Sequence, residues 1–169
     1  MKKIIPFLFL FFIISFFYTP NSFTKELILS EYSSIKNCKI IEKSDEAAYA
    51  KLRCPSKDGY NIYLENFDDR SWLIFKKGSL KIESKDFDNP AFTFQNIVPE
   101  KIEWRYKINN GKKQLSAVIY RLESYSNESN KVSQYLNILR LKGTQWCQLG
   151  SEENNDSARK LADSDQGCP

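Results

Sequence analysis

"KIEWRYKINNGKKQLSAVIYRL", residues 101–122, outlines the fold. In its first half Ile102, Trp104, Tyr106 and Ile108 alternate with Glu103, Arg105 and Lys107. This is the period-two pattern of a half-buried strand. Asn109-Asn110-Gly111 follows. Asn-Gly is a strong hairpin signal because both central residues of a type I′ turn need positive φ. Residues 101–109 therefore pair with 112–122 as an antiparallel hairpin. A two-residue turn sets Glu103 opposite Val118 and Arg105 opposite Ser116. It carries Arg121 further along the neighbouring strand, near residue 100.

The same reading extends outward. "YNIYLE" (60–65) alternates Tyr60, Ile62 and Leu64 against Asn61, Tyr63 and Glu65. "SWLIF" (71–75) is short and bulky, "SLKIES" (79–84) puts Leu80 and Ile82 on one face, and "AFTFQNI" (91–97) does so with Phe92 and Phe94. "YSNESNK" (125–131) reads as a polar loop, "VSQYLNILRLKG" (132–143) as a strand, and "TQWCQL" (144–149) as one more. Upstream, "NCKIIEK" (37–43) and "AAYAKLRC" (47–54) form a hairpin across Ser44-Asp45-Glu46. Val118, Ile119 and Tyr120 are consecutive, as are Ile138 and Leu139. Those strands are expected at the centre of a sheet, covered on both faces and by the C-terminal helix on one. In that helix Asp156 is the expected N-cap, and Ala158, Leu161 and Ala162 form a narrow apolar stripe. About two turns are supported, too few to stand alone in water. The expected fold is mainly β: an antiparallel β-sandwich or barrel of about eight strands with a short C-terminal helix.

The chain begins with Lys2 and Lys3, then an apolar run from Ile4 to Tyr18 broken by Pro6 and Ser15, then "TPNS". That is the layout of a secretory signal. The run is shorter than the roughly 20 residues of a membrane-spanning helix. Residues 1–23 are read as a signal peptide and 24–169 as a single exported β domain, with no stable membrane anchor once the signal is removed. An uncleaved N-terminal anchor is the rival, since no clean Ala-x-Ala site is visible. Removing two lysines and no acid lowers the formal charge from +4 to +2. A charge that small does not make a nucleic-acid footprint.

Export places the four cysteines, Cys38, Cys54, Cys147 and Cys168, in an oxidising compartment, periplasmic or secreted. Four cysteines allow three pairings. Sequential pairing, Cys38–Cys54 and Cys147–Cys168, closes the shortest loops and is the expected one. The chain has no histidine and no Cys-x-x-Cys, which argues against a zinc site and against a cysteine nucleophile activated by a neighbouring base. No metal and no cofactor is expected. The Cys147–Cys168 segment is a staple, pinning the helix against the strand that carries Trp146.

Asp68-Asp69-Arg70, Glu103-Trp104-Arg105, Arg121, Cys147, Asn154-Asn155, Ala158-Arg159, Ala162-Asp163 and Cys168 follow one another in an order that resembles a group of small exported alphaproteobacterial proteins. The likeness covers roughly residues 54–168, and the final Cys-to-Cys segment is its most telling part. The sequence departs from it at Ser151-Glu152-Glu153, where a more apolar stretch is expected and where the helix begins. The group has no established activity, so the resemblance implies export and architecture and nothing of mechanism.

Candidate sites are few. Glu103, Arg105 and Arg121 offer an arginine–carboxylate set that anchors an anionic ligand group or makes a cross-strand ion pair. Asp68, Asp69 and Arg70 read as a polar turn. The acids are scattered, with no pair marked out for glycoside hydrolysis. Tyr63 and Tyr106 are candidate binding aromatics, while the tryptophans are expected in the core. The expected function is that of a non-enzymatic envelope module binding an envelope protein or cell-wall component. A small-molecule-binding β-barrel is the alternative. The first reading predicts a filled core and an exposed aromatic patch; the second predicts a closed barrel with an apolar interior.

Overall fold

The computed structural model describes residues 26–68, 70–87, 94–126, 131–142 and 145–168. The expected signal peptide, residue 69 and the middle of the 125–131 loop lie outside the described residues. Ten strands and one α-helix are described: β1 (Leu27–Ser34), β2 (Lys39–Ser44), β3 (Tyr49–Lys57), β4 (Tyr60–Phe67), β5 (Arg70–Lys77), β6 (Leu80–Glu83), β7 (Phe94–Asn109), β8 (Lys112–Ser126), β9 (Lys131–Lys142), β10 (Gln145–Glu152) and α1 (Asn155–Asp163). They form two five-stranded antiparallel sheets, β1-β7-β8-β9-β10 and β2-β3-β4-β5-β6. Of the two architectures the pattern allowed, the sandwich is the one found. The helix packs on β8, β9 and β10, on the outer side of the first sheet.

The inward residues of both sheets make one core. Ile62, Leu73, Phe75, Ile102, Trp104, Tyr106, Val118, Tyr120 and Leu139 are all essentially inaccessible. Trp104 meets Tyr60 and Phe75 at ring-centroid distances of 5.9 Å, and Phe75 stacks on Trp146 at 6.5 Å. These rings fill the described space between the sheets, where a barrel-type ligand site would need a hollow.

The Asn110-Gly111 turn is present, with φ of 51° and 73° at the two residues. From it Asn109 pairs with Lys112 and Tyr106 with Leu115. The register then shifts: Arg105 faces Ala117, not Ser116, and Glu103 faces Ile119, not Val118. Ser116 is the extra residue of a bulge, its hydroxyl donating to the Arg105 carbonyl at 2.9 Å. One inserted residue exchanges the two faces of everything beyond it. Val118, Tyr120 and Leu122 therefore turn into the sandwich core. Ala117 and Ile119 turn outward and pack with Leu136, Ile138, Ala158 and Ala162 beneath α1. Consecutive apolar residues on β8 and β9 are thus explained: one set fills the sandwich and the other seats the helix.

The cysteines are paired sequentially, Cys38 with Cys54 across the β2–β3 hairpin and Cys147 with Cys168 across α1. Two such bridges are consistent with an oxidising extracellular compartment. The helix begins earlier than expected. Asn154, not Asp156, is the N-cap, its side-chain oxygen accepting from the Ser157 N–H at 2.9 Å. Gly150, at φ of 154°, brings the end of β10 against Leu161, so that the chain enters the helix directly from the strand.

Candidate functional site

Three of the five candidate side chains lie on the outer face of the first sheet. Glu103 and Arg105 point away from the core, as the alternation requires, yet both are buried, because β1 and α1 close over them. Arg105 holds Asp163 of the last helical turn through Nε at 3.0 Å and through a second, shorter contact from Nη2. It also reaches Glu103 at 3.2 Å and Ser30. Arg159, one and a half turns into α1, donates to Glu103 from Nε at 2.8 Å and Nη2 at 3.2 Å, and to the Tyr32 hydroxyl at 2.9 Å. Ser30 donates to the same carboxylate at 2.5 Å. Burial pushes the Glu103 carboxyl upward, but the Arg159 and Ser30 hydrogen bonds and the two guanidinium charges outweigh it and hold it below the usual range. Glu103 and Arg105 therefore clamp the helix, and neither is left to hold a ligand.

The clamp has a second half that the sequence reading missed. Arg140 on β9 donates to the carbonyls of Ala162 and Ser164 at 2.7 Å and of Leu161 at 3.3 Å, and also to Gln166. A cation at the helix C-terminus satisfies carbonyls that have no partner within the helix. Ser30, Tyr32 and Arg140 carried no periodic or motif signal, while Arg159 and Asp163 stood in the motif order without an assigned role. The strand β1 that supplies the first two mixes apolar and polar residues on both faces.

Arg121 is on the same outer face but outside the clamp. It is half-buried at the rim of a pocket of about 260 Å³ lined by Tyr32, Lys101, Glu103, Ile119, Leu136, Asn155 and Arg159.

Tyr106 lies inside the sandwich at its far end. Its hydroxyl donates to Asp58 in the β3–β4 turn, and the Lys113 ammonium sits 3.9 Å from its ring centroid. Burial, then the Asp58 hydrogen bond, pushes the phenol upward. The contact ties the two sheets together and exposes almost none of Tyr106.

Tyr63 is on the outer face of the second sheet. Strand register puts Arg53, Tyr63, Ile74 and Glu83 in one row, Lys51, Glu65 and Trp72 in the next, and Tyr49, Phe67 and Arg70 in a third. Lys51 and Lys76 flank the Tyr63 ring at 5.6 and 5.5 Å, and Lys85 lies 5.0 Å from the Trp72 ring. Glu65 accepts from Lys51 at 2.5 Å and from the Trp72 indole at 3.1 Å, and Glu83 pairs with Lys81 and Lys85. Five cations among the outward side chains of β3 to β6, Lys51, Arg53, Arg70, Lys76 and Lys81, stand with two carboxylates, Glu65 and Glu83. With α1 on the other sheet, no α-helix among the described residues covers this face.

Among the described residues no group of three or more Cys, Asp or Glu side chains is gathered as a metal site, and no helix is long and apolar enough to cross a membrane. Compared with protein-family models, with curated proteins and with solved structures, the chain matches none.

Proposed function

We propose that this chain is an exported, non-enzymatic binding module of the cell envelope, periplasmic or secreted, and that its partner is a protein or a cell-wall component. The reading rests on one observation: the outer face of the second sheet carries Tyr49, Tyr63, Phe67 and Trp72 with lysines laid against the rings. Phe67 is 48% exposed there. Aromatic side chains supply contact area at low conformational cost, and cations on their faces add attraction. The excess of cations over carboxylates favours a partner that brings acidic groups. The two disulfides support the export on which the reading depends.

The test is capture from an envelope extract by the exported protein, wild type beside a Tyr63→Ala/Trp72→Ala variant. A partner retained by the wild type and lost by the variant supports the reading. A partner retained equally by both places the binding surface elsewhere and overturns it.

A further inference from the structure

The pocket at Arg121 has a different character from the aromatic face, and it is on the other sheet. Its walls come from β1, β7, β8, β9 and the first turns of α1. Three cations reach it: Lys101, Arg121 and Arg159. The one carboxylate that lines it, Glu103, is already bound by Arg159, Arg105 and Ser30. Lys101 has no carboxylate partner among the described residues and lies 5.9 Å from the Tyr32 ring. Arg121 is half-buried and makes no hydrogen bond or ion pair among the described residues. A guanidinium is never neutral at ordinary pH. A half-buried one beside two further cations therefore favours an anion.

We propose that this pocket binds an oxyanion group, a carboxylate or a phosphate, with Arg121 as its principal donor. The planar guanidinium presents two parallel N–H groups, the geometry that carboxylate and phosphate oxygens match. Lys101 adds a point charge, and the Tyr32 hydroxyl, held by Arg159 at 2.9 Å, faces the same space. Asn155 is the first residue of α1, so the positive end of the helix dipole also lies at the wall. Asp156 is on this turn but points to solvent, 3.9 Å from Arg159. The pocket is smaller than the roughly 300–1,000 Å³ of sites that enclose a whole ligand. It takes one charged group of a larger molecule, or a small dianion. The site stands apart from the aromatic face, and neither proposal depends on the other.

The test is a titration of the isotope-labelled exported protein with inorganic phosphate and, separately, with succinate, followed by backbone amide shifts. Saturable shifts confined to residues around Tyr32, Lys101, Arg121 and Asn155 are expected with at least one probe. Arg121→Gln should weaken that binding by about tenfold or more, as expected for loss of a bidentate charged contact. Because Arg121 takes no part in holding α1, the variant should keep the wild-type helix shifts. Lys39→Gln removes the same charge from the second sheet and should leave the affinity unchanged. Saturation by phosphate alone points to a phosphate ester, and by succinate alone to a carboxylic acid. Shifts that do not saturate with either probe, or an equal loss in Lys39→Gln, overturn the proposal.

Discussion

Arg105 and Asp163, 58 residues apart, meet through both ends of a guanidinium–carboxylate fork, and this contact fastens the last turn of α1 to the centre of the first sheet. The pair is largely screened from water, with side-chain exposures of 10% and 20%. Removing one member of such a pair leaves the other charge stranded, at a cost of about 3 kcal/mol. Arg105→Ala should therefore lower the unfolding free energy measured by urea denaturation by that amount, since it strands both Asp163 and part of the Glu103 shell. Arg105→Met fills the same volume but strands the same carboxylates, so it should recover only part of the loss. A variant as stable as the wild type would show that the fork contributes nothing.

Acid should release the helix before it melts the sheets. Glu103 titrates below its ordinary value of 4.5 in the folded protein, and at that value once unfolded. The unfolded chain thus takes up the proton first as pH falls. The stabilisation from Glu103 is complete above the ordinary value and is lost as pH drops through it toward the lowered one. The methyl resonances of Ala158 and Ala162, on the buried face of α1, should shift in this window while those of Ile62 and Leu73 hold. Glu103→Gln should remove the pH dependence from the two alanines. Simultaneous loss of all four signals would refute a helix governed by Glu103.

Three devices hold the end of α1, the Arg105–Asp163 fork, the Cys147–Cys168 bridge and Arg140 on the last carbonyls, so cutting one should not free it. Cys168→Ser removes the bridge to Cys147 but leaves Arg140 on the helix carbonyls. Limited proteolysis after Lys160 should speed up modestly in Cys168→Ser and strongly in Cys168→Ser/Arg140→Ala, with the sheet fragments intact in both. If Cys168→Ser alone releases the segment, Arg140 is not a clamp.

Small residues let the helix approach the sheet. Ala117, Ala158 and Ala162 are fully buried at that contact. Ala158→Leu adds bulk where none fits and should destabilise by about 1–3 kcal/mol, measured by thermal unfolding. A neutral effect would mean that α1 sits loosely.

Most of the strands were readable because Tyr60, Ile62 and Leu64, or Ile102, Trp104 and Tyr106, alternate cleanly against polar neighbours. The cysteine pairing followed from loop length. Strand β1 escaped because its two faces are equally mixed: Leu27 and Leu29 lie at an exposed edge, while Ser30 and Tyr32 serve the ion network. The Ser116 bulge escaped because nothing in "QLSAVIY" announces an inserted residue; only the need to seat Ala117 and Ile119 under α1 selects it. Pairing Glu103 with Arg105, as a ligand anchor or a cross-strand ion pair, was legible in the sequence; that both would meet α1 was not. Their partners Arg159 and Asp163 are distant in the chain, and the burial that decides their role depends on where the helix lands.

An oxidised, exported chain underlies both the disulfide staples and the proposed binding role. Intact mass and non-reducing peptide mapping of the protein recovered from the envelope fraction test this most directly. The expected species has lost roughly the first 20 residues, as a cleaved signal would, carries four hydrogens fewer than its fully reduced form, and yields Cys38–Cys54 and Cys147–Cys168 peptides. A full-length cytosolic species with free thiols, or a Cys54–Cys147 peptide, would contradict it.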